Sequence, residues 1–544
     1  MITKGVESHH LTSIGANEID TIATTIAVYA LDVSSPATIR VTLPRTSLPQ
    51  PTRRESVDRD ASDALRLTNK GDDLGRHHTL SDDEQPRLLG GHGVIHYRLS
   101  DREVIIEAQV NVAYRYFLEL AISSALPVAS LLSQFRSRLG AQRHQKLFDQ
   151  IVSQARVHSL VKDRLRLKDA THVIANIAIP STIQLVAQVR TKLLKRAQPY
   201  AAERVQAAEA EAERIRQVTT DVKDEERLLQ RVNHLRQIVA WADELQSQLE
   251  PTQSADQPNW ARFESALATA HKLLADQDEP EGKDRLRSAV DPEARRGKHG
   301  LYYDGYSCDI SLDADSEIIT ALTVLPANGD EAANARPLLE AERQAHHNRV
   351  EALSIDSVGF QGAVLRDLSD PTDLNLTVYV PPHSQGIQER PYFKPADFQL
   401  SADGSRLTCP HEQETSSRYR NDKDTGWVFH FKGSQCGPCP LLKDCMAKLP
   451  ANHGRSVSKN DYQAEYEAAR QLAQTEAYAQ VRQQHPKVER KLAEIVRYHG
   501  GRRARYHGQK RLNIQYLLTG MAINIKRIVR LLAQRRQIPL PQPI

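Results

Sequence analysis

The chain has 544 residues, of which 40% are apolar and 26% are charged, and its mean hydropathy is -0.53. This balance allows a large buried core and excludes collagen-like, mucin-like and wholly disordered classes. No stretch approaches about 18 uninterrupted apolar residues, and residues 21–33 are broken by threonines and follow acidic residues. We therefore expect neither a membrane span nor a signal peptide, but a cytoplasmic protein of about two to four domains.

The net charge of +4 conceals a strong asymmetry along the chain. Residues 481–544 contain 15 Lys and Arg against 2 Asp and Glu, a local net charge of +13. Residues 201–290 contain 12 basic and 18 acidic residues, a local net charge of -6. The basic C-terminal segment favours a polyanionic partner, most simply double-stranded DNA, although a solvated basic helix would have the same composition.

The first third of the chain changes from irregular to helical. Residues 1–98 lack sustained apolar periodicity and predict a poorly ordered segment. Residues 99–160 predict a helical N-terminal domain of short helices at 114–121, 131–139 and 148–155, which fits a helix-turn-helix or a plain bundle equally well.

A strand and a helical insertion follow. Residues 165–178 predict the strand. Residues 183–290 predict a helical insertion, because apolar stripes at helical spacing occur at 228–249 and 260–274.

Beyond the insertion the apolar period changes to two. The predicted elements are a hairpin at 301–311 and 318–325, a helix at 331–349, and strands at 350–355 and 374–380. Residues 161–182 and 291–382 therefore predict the strands of a mixed α/β core. Residues 383–455 have little periodicity, and residues 456–544 predict C-terminal helices that complete the core.

Three acidic residues stand at notable positions. Asp169 interrupts the first predicted strand, Asp356 follows a later one, and Glu489 begins a basic helix. Isolated buried carboxylates are costly, and a shared Mg²⁺ or Mn²⁺ ion, which prefers oxygen ligands, would account for them. Capping and surface ion pairing are the alternative, and composition alone does not select these three among 68 acidic residues.

Four of the five cysteines are spaced C-x26-C-x2-C-x5-C, namely Cys409, Cys436, Cys439 and Cys445. Such a pattern favours one structural Zn²⁺ ion in a reducing compartment, with His411 able to replace Cys409, although four reduced cysteines in a loop would also fit. The CGPC sequence is unlike a redox pair, because Pro440 follows it directly. Cys308, inside a predicted strand, is expected to be a packed thiol.

Six basic side chains surround Gly500 and Gly501, and we name residues 497–511 the basic segment. They are Arg497, Arg502, Arg503, Arg505, Lys510 and Arg511. Lys and Arg neutralise DNA phosphates, and four such contacts would give a log–log salt slope of about -3.6. We predict that this segment binds DNA.

The chain resembles bacterial insertion-sequence transposases of the DDE type, in particular the insertion-sequence 1182 group. The resemblance covers roughly residues 95–535 and includes the cysteine pattern and the blocks AYRYFLEL, LPVASLLSQFRSRLG, LKDATHVIANIA, ALSIDSVGF and VERKLAEIVRYHGGRRARYHG. It implies a ribonuclease-H-like α/β core with an all-helical insertion, a cysteine-rich zinc loop module and a helical N-terminal region. It also implies that Asp169, Asp356 and Glu489 form a catalytic triad binding two Mg²⁺ or Mn²⁺ ions.

The implied function is metal-dependent cleavage of transposon DNA ends followed by strand transfer into target DNA, by a homo-oligomer assembled on the DNA. Two other functions agree with the same residues. A DNA-binding protein or inactive transposase remnant would keep the zinc module and the basic surface without cutting. A metal-dependent nuclease would cut without joining.

Overall fold

The computed structural model describes residues 99–112, 115, 121–249, 257–279, 281–383, 392–421, 425–448, 450 and 453–535. The predicted poorly ordered segment 1–98 and most of the first predicted helix, 114–121, lie outside these residues. The chain separates into two compact units. Among the described residues, 99–134 and 532–535 belong to the smaller unit and 135–531 to the larger one.

The first two helices differ in how they are bounded. Helix α1, Asp101–Val110, begins with a capping box: the Glu103 backbone N–H donates to Ser100 Oγ, and the Ser100 N–H donates to the Glu103 carboxylate. Helix α2 spans Ala129–Val157 but has non-helical backbone at Gly140, where φ is 69°. The two helices predicted at 131–139 and 148–155 therefore meet at one glycine, without an intervening loop.

The larger unit is built on a six-stranded sheet. Its strands are β1 Arg166–Ile174, β2 Arg295–His299, β3 Leu301–Asp313, β4 Ile319–Pro326, β5 Ala352–Ser354 and β6 Thr377–Tyr379. The order is β2-β3-β1-β5-β6, and β4 also pairs with β3. Strand β3 is antiparallel to its partners, whereas β1, β5 and β6 run parallel. Strand β5 ends opposite Leu167, so β1 continues seven residues past the carboxyl end of β5.

A four-helix insertion separates β1 from β2. Its helices are α3 Thr182–Ala197, α4 Ala202–Val218, α5 Asp224–Gln248 and α6 Gln257–Asp278. All four contribute to one apolar core, for example through Leu193, Val205, Leu235 and Phe263. The apolar stripes predicted at 228–249 and 260–274 fall on α5 and α6, so both stripes face this core.

Two further helices pack on the sheet. Helix α7, Ala335–His346, covers β3 and β4, and helix α8, Gly362–Ser369, packs against β6. Residues 305–313 of β3 are buried without alternation. Continuous burial of this kind indicates a strand covered on both faces, as in layered α/β folds.

The cysteine-rich segment contains two small three-stranded sheets and two short helices. The elements are β7 Gln399–Leu400, β8 Leu407–Thr408, β9 Glu414–Thr415, β10 Arg418–Asn421, β11 Gly426–His430, helix α9 Gly433–Cys436, helix α10 Leu442–Cys445 and β12 Ser456–Asn460. Strands of two to five residues are too short to produce a clear period-two pattern. Because β12 pairs with β11, this segment extends past the boundary predicted at residue 455.

The described C-terminal part, from Gln463 to Arg535, is mainly helical. Its helices are α11 Gln463–Leu472, α12 Glu476–Gln484, α13 Pro486–His499 and α14 Gln509–Arg535. Helix α13 packs against β1, and the Asn524 side chain of α14 exchanges two hydrogen bonds, of 2.9 and 2.8 Å, with the backbone of Ile319 in β4. The mixed α/β fold is confirmed and is consistent with a ribonuclease-H-like core. None of the described helices has the length and apolarity needed to cross a membrane.

Candidate catalytic site, cysteine module and basic segment

A buried ion network fixes the start of β1. The Arg166 guanidinium is fully buried and pairs with Glu342 at 2.7 Å and with Asp313 at 2.9 Å. Burial raises the pKa of Glu342, but the Arg166 charge outweighs it and brings that pKa to about 2. Two residues further, Lys168 pairs with buried Asp309 at 2.8 Å. These pairs hold β1 against β3 and α7, and so fix the strand that carries Asp169.

The register of the two parallel strands places two predicted site residues side by side. Leu167 of β1 is aligned with Ser354 of β5. Asp169, inside β1, and Asp356, just after β5, each lie two residues beyond that pair, and neighbouring strands are about 4.8 Å apart. The Asp169 carboxylate also accepts a 2.8 Å hydrogen bond from the backbone N–H of Ala170.

The electrostatics of Asp169 connect all three predicted acids. Burial, together with the charges of Asp356 and Glu489, raises its pKa to about 7, against the lowering effects of the Ala170 N–H and Lys168. The structure therefore brings Asp169, Asp356 and Glu489 within electrostatic reach of one another. We name these three residues the carboxylate site.

Glu489 reaches this site because the start of α13 is tied to the sheet. His485, the residue before the helix, lies 3.1 Å from Ser354 Oγ through its Nδ1 atom. Lys487 Nζ donates a 2.6 Å hydrogen bond to the carbonyl oxygen of Ala314. Glu489 follows in the first turn of the helix and is exposed, so its carboxylate is open to solvent or to a ligand.

Arg482 is a site residue that the sequence reasoning missed. Its Nη1 atom donates to Ser354 Oγ at 3.1 Å and to the Ile355 carbonyl oxygen at 2.9 Å. Burial lowers the pKa of Arg482, while Tyr478 and all three acids of the carboxylate site oppose that change. Nothing in the composition distinguishes Arg482 from the other basic residues; its position seven residues, or two helical turns, before Glu489 was the one available signal.

The four cysteines of the predicted zinc module line one pocket of about 20 Å³, which also contains His411. Cys436 and Cys445 end α9 and α10, and the N–H of Cys439 donates to the Cys436 carbonyl oxygen at 3.2 Å. Burial raises the pKa of the Cys445 thiol; Arg455 opposes this, and Cys436, Cys409 and Cys439 raise it further. The spacing pattern thus corresponds to one cluster of thiols. By contrast, Cys308 is buried in β3.

Neither the carboxylate site nor the pocket of the four cysteines has its side chains already in metal-binding positions. Among the described residues, no group of three or more His, Cys, Asp or Glu side chains is arranged so that it could hold a metal ion. The donor chemistry nevertheless fits: the carboxylate site supplies hard oxygen donors, and the cysteine pocket supplies sulfur donors and room for about one water-sized sphere. Closing either set on an ion would require the side chains to reorient.

Five of the six side chains predicted to bind DNA are exposed: Arg497, Arg503, Arg505, Lys510 and Arg511. Arg502 is half-buried, and its Nη1 atom donates to the His172 carbonyl oxygen at 2.6 Å and to Thr171 Oγ1 at 3.2 Å. The Ile174 N–H donates to the carbonyl oxygen of Arg502 at 2.9 Å. Arg502 therefore attaches the basic segment to the end of β1, the strand that carries Asp169.

Comparison with known protein families gives two matches. Residues 408–529 match the model described as Transposase DDE domain, and residues 95–138 match Transposase domain (DUF772). These matches support a DDE transposase. The first match includes Glu489, the four cysteines and the basic segment, whereas Asp169 and Asp356 lie outside both. Comparison with curated proteins and with solved structures gives no match.

Proposed function

We propose that this protein is a DDE transposase of the insertion-sequence 1182 group, which cleaves the ends of its element and joins them to target DNA. One observation carries the proposal. Asp169 of β1 and Asp356, just after β5, each lie two residues beyond the aligned pair Leu167 and Ser354, and Glu489 interacts with Asp169 from a helix packed on the same sheet. Two sequence matches to transposase domains, one of which includes Glu489, support the same function.

The three acids would hold two Mg²⁺ or Mn²⁺ ions. Two ions about 3.5–4 Å apart stabilise the attacking and leaving oxygens of an in-line displacement at phosphorus. In the first displacement water attacks the phosphodiester at the transposon end, and in the second the freed 3′-OH attacks target DNA. Both displacements proceed without a covalent protein intermediate, which agrees with a site built from carboxylates.

The neighbouring side chains would position the site and the DNA. Arg482 donates to the Ser354 side chain and to the Ile355 carbonyl oxygen, just before Asp356, and supplies a positive charge that interacts with the three acids. The exposed Arg503 and Arg505 follow a residue pinned to β1, so phosphates bound there would lie next to the carboxylate site.

The cysteine module would hold one structural Zn²⁺ ion through Cys409, Cys436, Cys439 and Cys445. The apolar core of this module contains few residues, namely Phe398, Leu407, Phe429, Phe431 and Val457. Small cores rarely stabilise a fold by themselves, and four thiolates around one ion would cross-link these short strands and helices. By the resemblance to transposases, we also propose cytoplasmic action on double-stranded transposon ends and target DNA by a homo-oligomer.

A DNA joining assay tests this function. The substrate is a labelled duplex that ends in the inverted repeat read from the genomic DNA flanking the gene, mixed with a supercoiled plasmid and Mg²⁺ or Mn²⁺. We expect labelled 3′ ends joined to the plasmid. Cleavage without joining would indicate the nuclease instead, and binding without cleavage would indicate the inactive remnant or DNA-binding protein.

A further inference from the structure

The hairpin formed by β2 and β3 has an apolar tip that projects into solvent. We name residues 296–302 the hairpin tip. Leu301 is 84% exposed and Tyr302 is 68% exposed. Gly300 between the strands has φ of 69°, a left-handed conformation that glycine adopts without strain. Turns of this kind normally carry polar residues, so a large apolar pair here indicates a surface that a partner covers.

The same tip is positively charged. The Arg296 guanidinium carbon lies 5.8 Å from the centroid of the Tyr302 ring, and Lys298 Nζ lies 5.6 Å from it. Both basic side chains are exposed. An aromatic face with cations beside it offers stacking to a nucleobase and charge to the adjoining phosphates. This combination matches a nucleic acid better than an apolar protein surface.

The tip is anchored to β1. His172 of β1 contacts the rings of His299 and Tyr303, with centroid distances of 4.9 and 5.1 Å. Asp169 of the carboxylate site is aligned with Ile310 of β3, and Tyr302 lies eight residues from Ile310, about 26 Å along an extended strand. A duplex with a phosphate at the carboxylate site would therefore reach the hairpin tip about eight base-pair steps away, at roughly 3.4 Å per step.

We propose that the hairpin tip is a DNA wedge, which inserts Leu301 and Tyr302 into the duplex about eight base pairs from the reacting phosphodiester and unstacks a base pair there. This inference rests on the proposed action of the carboxylate site on DNA. Apolar side chains that enter a base step commonly kink and unstack duplexes, and the cost of unstacking is lower at a mismatch. Arg296 and Lys298 would bind the phosphates on either side of the opened step.

Binding to two duplexes of arbitrary sequence tests the wedge without knowledge of the transposon ends. Both duplexes have 30 base pairs, one fully paired and one with a central mismatch, and each carries 2-aminopurine beside the centre. The full chain is compared with the double variant Leu301→Ser and Tyr302→Ser. The matched control is Leu229→Ser, which changes another leucine, 56% exposed, on the helical insertion.

We expect the full chain and Leu229→Ser to bind the mismatched duplex roughly five-fold or more tightly than the paired one and to increase 2-aminopurine fluorescence, because stacking on one aromatic ring contributes at least that much. The double variant should lose the preference and the fluorescence change while it keeps its affinity for paired DNA. Equal behaviour of the double variant and the full chain, or no mismatch preference in the full chain, would overturn the wedge.

A failure of the proposed function would look different. Asp169→Asn should show the same mismatch preference as the full chain, because that residue is outside the hairpin. If the preference is present but no DNA is cleaved by any protein, the wedge stands and the transposase assignment fails. If only a protein partner, and no DNA, protects Tyr302 from chemical modification, the tip is a protein interface and the wedge is wrong.

Discussion

The carboxylate site and the cysteine module are both candidate metal sites, yet they are assembled in opposite ways. The cysteines lie within a segment of 37 residues, Cys409 to Cys445, and turns and single helical turns bring them to one pocket. Asp169 and Glu489 are separated by 320 residues, and they meet only because β1, β5 and α13 pack together.

The difference in assembly predicts a difference in vulnerability. The cysteine module has few apolar residues, so its order should depend on the ligands themselves. The carboxylate site sits on a large sheet whose first strand is fixed by buried ion pairs, so removing one acid should change chemistry without changing the fold. Four experiments test whether the two sites differ in this way, and the one with the largest expected effect comes first.

Replacing Asp169 by Asn should lower the rate of DNA cleavage on the order of 10²- to 10³-fold, because the site loses one charge while the strand keeps its packing. DNA affinity should stay within about two-fold, since the exposed basic residues are unchanged. Cleavage rates and gel-shift affinities measure the two effects. Asp315→Asn, at a turn where the acid pairs with Arg164, is the matched control and should keep full cleavage. A rate for Asp169→Asn equal to that control would remove Asp169 from the site.

Replacing Cys436 by Ser should reduce the zinc content from about one ion per chain to nearly none and lower the melting temperature. Metal analysis of reduced, purified protein and a thermal scan measure these changes. Cys308→Ala should keep its zinc, because Cys308 lies in β3 outside the pocket. If His411→Ala loses zinc and Cys409→Ser retains it, the fourth ligand is His411. Absence of zinc from the unmodified chain would contradict the module altogether.

Acid should weaken the sheet that supports the carboxylate site. The pKa of Glu342 is about 2 in the folded chain, below its ordinary value of 4.5, because of Arg166. A lowered pKa gives stability that is fully present above pH 4.5 and is lost as the pH falls towards 2, about 3 kcal/mol in all. Urea unfolding across that pH range should show the loss. Glu342→Gln should not show this pH-dependent loss of stability. Its free energy of unfolding at pH 7 should also be lower, since the substitution leaves Arg166 buried with fewer charged partners.

The matched control for that experiment is the double variant Glu211→Gln and Glu213→Gln. Both acids pair with arginines on the exposed face of α4. Exposed ion pairs contribute little to stability. The free energy of unfolding of this variant should therefore match that of the unmodified chain over the whole pH range. An unchanged acid response in Glu342→Gln would show that other groups hold β1 in place.

Replacing Arg503 and Arg505 together by Ala should flatten the log–log salt slope of DNA binding by about 2 and weaken binding to all sequences about equally. Arg502 is left in place because it ties the segment to β1. The control is Arg214→Ala with Arg216→Ala, two exposed arginines on α4, which should bind DNA normally. If both double variants bind alike, the DNA path avoids the basic segment.

Local patterns predicted much of this molecule. The periodic helices of the insertion and of the C-terminal part, the hairpin of β3 and β4, and the cysteine cluster each depend on residues close in sequence, and the structure contains them. Short elements escaped prediction: β2 and the strands of two to five residues in the cysteine module give too few side chains to establish a period. The DDE assignment came from a resemblance, which two family matches support in coarser form.

By itself, the sequence determined the mixed α/β class, the charge asymmetry and the thiol cluster, because each follows from residue spacing or composition. The three-dimensional packing was needed to show that Asp169 and Asp356 are neighbours, that the charge of Arg482 acts on all three acids, and that Arg502 is half-buried and bonded to β1. Strand pairing and helix docking join residues hundreds of positions apart. No local period records which partners will meet.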